Sequence, residues 1–129
     1  MEDLLAVTGV TPPMVEKLRD FVIVLPGGIP VNVNTAPAEV LAALAENCSV
    51  SQGATIVQFR RRTPFNSEAE FKNYLGQTGA SLPAGVKVDV KSDHFLVLSH
   101  VRLDRAALDA QSLVYRTSKA ISLLWMREI

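Results

Sequence analysis

Val31-Asn32-Val33-Asn34-Thr35-Ala36-Pro37-Ala38-Glu39-Val40-Leu41-Ala42-Ala43-Leu44 changes character half-way along. Its valines alternate with asparagines, which suits a short extended segment or the entry to a turn. A helix is expected next. Pro37 disfavours helical dihedrals at Ala36 and itself suits the first helical position, which puts Glu39 at the third, facing the unpaired amides. A cap at Thr35, one register earlier, satisfies the same amides, and the residues alone do not separate the two. Val40, Leu41 and Leu44 then share one face, and the helix is expected to end near Asn47.

Upstream, Leu4, Leu5 and Val7 form an apolar cluster that stops at Gly9. Thr11-Pro12 restarts a helix, with Met14, Val15, Leu18 and Phe21 or Val22 at helical spacing. Pro26-Gly27-Gly28-Ile29-Pro30 closes this unit as a loop, so residues 1–25 read as helix, tight turn, helix. Downstream, Ser49 with Gln52 and Ser67 with Glu70 are two capping boxes. Val50, Ala54 and Val57 predict the buried face of the first helix, and Phe71 with Leu75 that of the second. Arg60, Arg61 and Arg62 lie where cations favour the negative dipole end, before the break at Thr63-Pro64.

After Gly76 the composition shifts to β-branched alternation through Val86, Val88 and Val90. Phe95, Val97, Val101 and Leu103 fall on one side of a longer strand. Leu113 and Tyr115 belong to a second strand, and Ile121, Leu123 and Trp125 to one face of a third. The joins around Asp104–Asp109 and Thr117–Lys119 are short, as in an antiparallel meander. The fold class is therefore α+β: a helical domain over residues 1–82, then an antiparallel sheet over 83–129.

The 129 residues suffice for one domain or two small subdomains, and 48% are hydrophobic. Thirteen basic residues balance thirteen acidic ones, so charge makes no case for nucleic acid. Cys48 is the single cysteine, which excludes an internal disulfide. No apolar run approaches the roughly 18 residues of a membrane span. His94 and His100 lie six residues apart on one strand, too far to share a metal unaided. Asp89 and Asp93 lack the dense oxygen spacing of a calcium loop. No nucleophile elbow is present, no catalytic residue is assigned, and no enzyme is expected. The arginine run is the one candidate phosphate contact.

Two resemblances attach to these residues. Asn32-Val33-Asn34-Thr35-Ala36, Leu41, Leu44, Ile56-Val57, Arg60, Pro64-Phe65 and Phe71 resemble the helix-hairpin-helix (SAM-like) DNA-binding unit. That family's Gly-hydrophobic-Gly hairpin is replaced here by Asn47-Cys48-Ser49-Val50-Ser51, and Gly9-Val10-Thr11 keeps one glycine of two. The wider resemblance is to the periplasmic part of the minor pseudopilin K family of the bacterial type II secretion system. It rests on Asp3-Leu4-Leu5-Ala6-Val7 with Gly9, and on Val31–Leu44 with its arginine helix. It continues through Val90-Lys91-Ser92-Asp93-His94-Phe95, Ser112-Leu113-Val114-Tyr115-Arg116 and Leu124-Trp125.

This second resemblance implies a non-enzymatic subunit with a pseudopilin-type meander behind a helical insertion. It implies assembly with minor pseudopilins I and J at the pseudopilus tip, with secreted proteins as further partners. It also implies a periplasmic domain held to the inner membrane by an N-terminal helix that precedes Met1. Calcium is associated with the family, but no ligand is assigned here and no other cofactor is expected. Phe95, Val97, Val101, Leu103, Ile121, Leu123 and Trp125 are the expected packing residues of the sheet. Their cover is expected from the helical domain or from a partner chain, self-association by exchange of elements included. A helix-hairpin-helix DNA-binding module is the rival reading.

Overall fold

A computed structural model describes residues 1–129. The order is a 3₁₀ turn (Glu2–Ala6), α1 (Pro12–Leu18), β1 (Val31–Asn32), α2 (Ala38–Leu44), α3 (Val50–Arg62), α4 (Glu68–Gln77), β2 (Val88–Asp89), β3 (His94–Leu103), β4 (Ala106–Arg116) and β5 (Ile121–Glu128). The class is α+β, as expected, and the chain divides into Met1–Val90 and Lys91–Ile129.

In the first unit, α1 stops at Leu18, earlier than the periodicity suggested. Phe21 and Val22 lie beyond it, because Val22-Ile23-Val24 is a β-branched run that a helix tolerates poorly. Helix α2 begins one residue late: Pro37 is its N-cap, in extended conformation, and neither Ala36 nor Thr35 caps it. It also ends early, at Leu44, before Asn47 adopts a positive φ of 55°.

The first capping box forms in full. Ser49 Oγ accepts from the Gln52 amide at 3.2 Å, and the Ser49 amide donates to Gln52 Oε1 at 2.7 Å. Replacing Ser49 by alanine is expected to cost about 1 kcal/mol in urea unfolding, the usual worth of a serine cap. A loss below about 0.3 kcal/mol would show that the box adds nothing. The second box is half formed. Ser67 Oγ accepts from the Glu70 amide, but the Glu70 carboxylate reaches back one residue further, to the Asn66 amide at 2.8 Å.

The core of this unit is built from Val33, Leu41, Ile56, Phe71 and Leu75, all essentially inaccessible, with Ala36, Phe65, Ala80 and Val88. Phe71 and Leu75 are the pair expected on α4. On α3 the buried face is Gly53 with Ile56; Val50 and Ala54 are exposed and Val57 is half-buried. The apolar spacing misplaced this face because the inward position nearest α2 is a glycine. A Cβ at Gly53 would lie 2.3 Å from the Ala38 carbonyl oxygen, so α2 and α3 meet backbone to backbone there. Val88 pairs in parallel with Val31, which takes the Val86–Val90 alternation out of the meander and into this core.

The second unit is a three-stranded antiparallel sheet in the order β3-β4-β5. The first join is only Asp104-Arg105, tighter than the expected Asp104–Asp109. Ala106–Asp109 joins the ladder, with Leu103 opposite Ala106 and His100 opposite Asp109. Asp104 turns the chain with a φ of 48°, a left-handed conformation that aspartate tolerates better than most residues. The second join is held by Thr117, whose hydroxyl accepts from the amides of Lys119 and Ala120.

Candidate functional site

The Asn34 side chain ties three segments together. Its amide nitrogen donates to the Phe65 carbonyl at 2.9 Å and to the Val90 carbonyl at 3.2 Å, while its oxygen accepts from the Phe65 amide at 3.0 Å. Sequence reading saw this asparagine only as an extended or turn residue. The hint available was its position directly before a helix entry, where a side-chain amide can replace backbone partners.

Arg60 lies beside it. The half-buried guanidinium donates to the Val33 carbonyl at 2.6 Å, and burial, together with the neighbouring Arg61 charge, depresses its pKa. It is a strut inside the helical unit. Arg61 and Arg62 are exposed and reach no carboxylate. Successive helix positions turn about 100° apart, so the three arginines do not present one face. At the hairpin that precedes α3, the amides of Ser49 and Gln52 are already engaged by the capping box, and the Gly53 amide donates to the Ser49 carbonyl. Three of the backbone donors around this helix start are thus used within the chain.

No group of three or more His, Cys, Asp or Glu side chains is placed to hold a metal ion, so the residues present supply no side-chain cluster fitted to calcium. Asp89 Oδ1 accepts from the Val90 amide and the Asp93 carbonyl accepts from the Arg116 amide. His94 stacks on Tyr115 with ring centres 4.6 Å apart, and His100 pairs with Asp109 across the ladder. Burial pushes the Cys48 thiol up, away from the reactive thiolate. A groove along α4 is lined by Phe59, Phe65, Tyr74, Asn73, Gln77 and Glu70. Its single carboxylate, Glu70, is bonded to Asn66. None of these places joins a nucleophile to a base.

The sheet carries an open apolar surface. Paired residues on neighbouring strands point to the same face. One face therefore carries Phe95, Val97, Val101 and Leu103 from β3, Leu108 and Val114 from β4, and Ile121, Leu123 and Met126 from β5. Nothing charged interrupts its centre. Arg116 lies at one end, its guanidinium 4.9 Å from the Phe95 ring centre. Apart from the half-buried Val114, these side chains are open to solvent, from 37% for Phe95 to 73% for Leu103.

Trp125 does not share this face. The register slips between Leu113 and Val114, so Leu123 opposes Val114 while Trp125 opposes Leu113. Leu124 is the extra residue of a β-bulge, which puts Trp125 on the other face with Leu96, Leu98 and Arg127. Strict alternation had placed Ile121, Leu123 and Trp125 together, and period-two reasoning cannot see an inserted residue. The Arg127 guanidinium covers the Trp125 ring from 5.2 Å and bonds Gln111, which leaves the tryptophan half-buried.

Residues 31–91 match the family described as type II secretion system (T2SS), protein K. The matched segment contains the Asn34 junction, the Arg60 strut and helices α2 to α4. This segment belongs to the type II secretion system protein K family. A type II secretion system protein K of Pseudomonas aeruginosa is 40% identical over 87 residues, a stretch that covers 67% of this chain. The chain spans about a quarter of that relative's length, 26%. Within the protein K match, the glycine-poor hairpin at residues 47–51 and the arginine strut belong to a packed helical unit. No helix of the chain is long and apolar enough to cross a membrane.

Proposed function

We propose that this chain is the helical insertion and sheet of a minor pseudopilin that caps the type II secretion pseudopilus and supports export across the outer membrane. It works without catalysis, through assembly with minor pseudopilins I and J and contact with secreted proteins. Its place is the periplasm, on a protein held in the inner membrane by an apolar helix outside these residues. The observation that carries the reading is the open apolar face of β3-β4-β5 in a chain that also carries a protein K helical unit. Soluble monomers rarely leave so continuous a face uncovered. In the intact protein a long N-terminal helix would pack on it.

The DNA-binding reading is not favoured, since Arg60 and the Ser49 and Gln52 amides are spent within the fold. Each reading has its own test. In the full-length protein in its own bacterium, Val97→Asp with Leu123→Asp should cut secretion at least tenfold at unchanged protein level. Unchanged secretion would remove the face from the account. Micromolar binding of a short duplex at low salt, abolished by Arg61→Ala with Arg62→Ala, would restore the rival.

A further inference from the structure

Phe21-Val22-Ile23-Val24-Leu25 is five consecutive apolar residues, three of them β-branched, and belongs to no helix or strand. Phe21 to Val24 are exposed, Val24 at 68%. The Phe21 and Val22 amides still bond back to Leu18, but no backbone group from Ile23 to Leu25 takes part in a hydrogen bond. Such a segment has the composition of a sheet-core strand and lacks a ladder.

The sheet offers the complement. Strand β3 is an edge whose ten residues pair with β4 without a register shift. Native edges are usually blunted by lysine, proline, a bulge or inward charge. His94–Leu103 contains neither lysine nor proline, and Arg102 is its one full charge, near the end. The other edge, β5, carries the bulge at Leu124 and ends in Arg127-Glu128. The unprotected edge is β3.

We infer that residues 21–25 of one copy add as a fourth strand to the β3 edge of a second copy, reciprocally. Each copy supplies one donor segment and one acceptor edge, so two-fold symmetry satisfies both and leaves neither open. Main-chain hydrogen bonds supply the attraction, and apolar side chains on both sides of the added strand extend the two sheet faces. A five-residue strand is short, so the association is reversible and micromolar. This inference goes beyond the secretion reading and does not depend on it.

The test begins with solution mass by light scattering from about 1 to 500 μM. A monomer–dimer transition is expected, weakened at least tenfold by Val24→Pro, which deletes one ladder donor at an exposed site. Two Cys48→Ser chains, one with Val24→Cys and one with Leu98→Cys, are then mixed and oxidised. A mixed disulfide between the two chains should dominate over either homodimer. A monomer at every concentration, a dimer indifferent to Val24→Pro, or predominant Val24→Cys homodimers would each overturn the proposal.

Discussion

Gly53→Val is expected to destabilise the helical unit by about 4 kcal/mol or more, at the diagnostic end of single substitutions. The cause is geometric. A Cβ there would sit 2.3 Å from the Ala38 carbonyl oxygen and 3.1 Å from its carbon, and backbone cannot swing aside as a side-chain tip can. The smaller Gly53→Ala isolates the effect by its sign. Helix propensity alone favours alanine by about 1 kcal/mol. Overpacking of a tight contact costs roughly 1–3 kcal/mol, and this contact belongs at the top of that range. Net destabilisation of about 2 kcal/mol is therefore expected in urea unfolding. A stabilised Gly53→Ala protein would mean that α2 and α3 are further apart than described.

Asn34→Asp should cost about 3 kcal/mol at pH 7. The new carboxylate can still accept from the Phe65 amide. Its second oxygen, however, replaces a donor that served the Phe65 and Val90 carbonyls at 2.9 and 3.2 Å, so three acceptors face one another. Each buried polar group left unsatisfied costs roughly 1–3 kcal/mol. The pH dependence has a definite sign. Carbonyl oxygens and partial burial disfavour the charged form, which raises the folded pKa of the new carboxyl above its unfolded value. Stability is then recovered as pH falls below the unfolded carboxyl range and lost as pH rises through the folded pKa. Unfolding at pH 4 and pH 7 measures this. A cost below 1 kcal/mol at pH 7, or greater loss in acid, would remove Asn34 as the junction.

What was legible in the sequence was local chemistry. Ser49 with Gln52, and Phe71 with Leu75, announce a cap and a helix face through spacing alone, and both are found. The α+β division was legible too, because helical spacing gives way to alternation. What was hidden depends on contacts distant in the chain. Gly53 has no side chain to enter a hydrophobic pattern, so the inward face of α3 was assigned to Val50, Ala54 and Val57. The Val88 strand pairs with Val31, 57 positions away, and no period reports a partner. Leu124 shifts the register by one residue and carries Trp125 to the opposite face. Arg60 looked like a cation for a dipole or a phosphate until Val33 was seen to take its proton donor.

The central claim is that this chain is an assembly subunit, and mixing it with its proposed partners tests that most directly. The chain is combined with the periplasmic parts of minor pseudopilins I and J, and the mass is followed by light scattering at physiological salt. A species containing all three is the predicted result. Three separate masses at tens of micromolar, in a preparation where each protein is folded, would contradict the account.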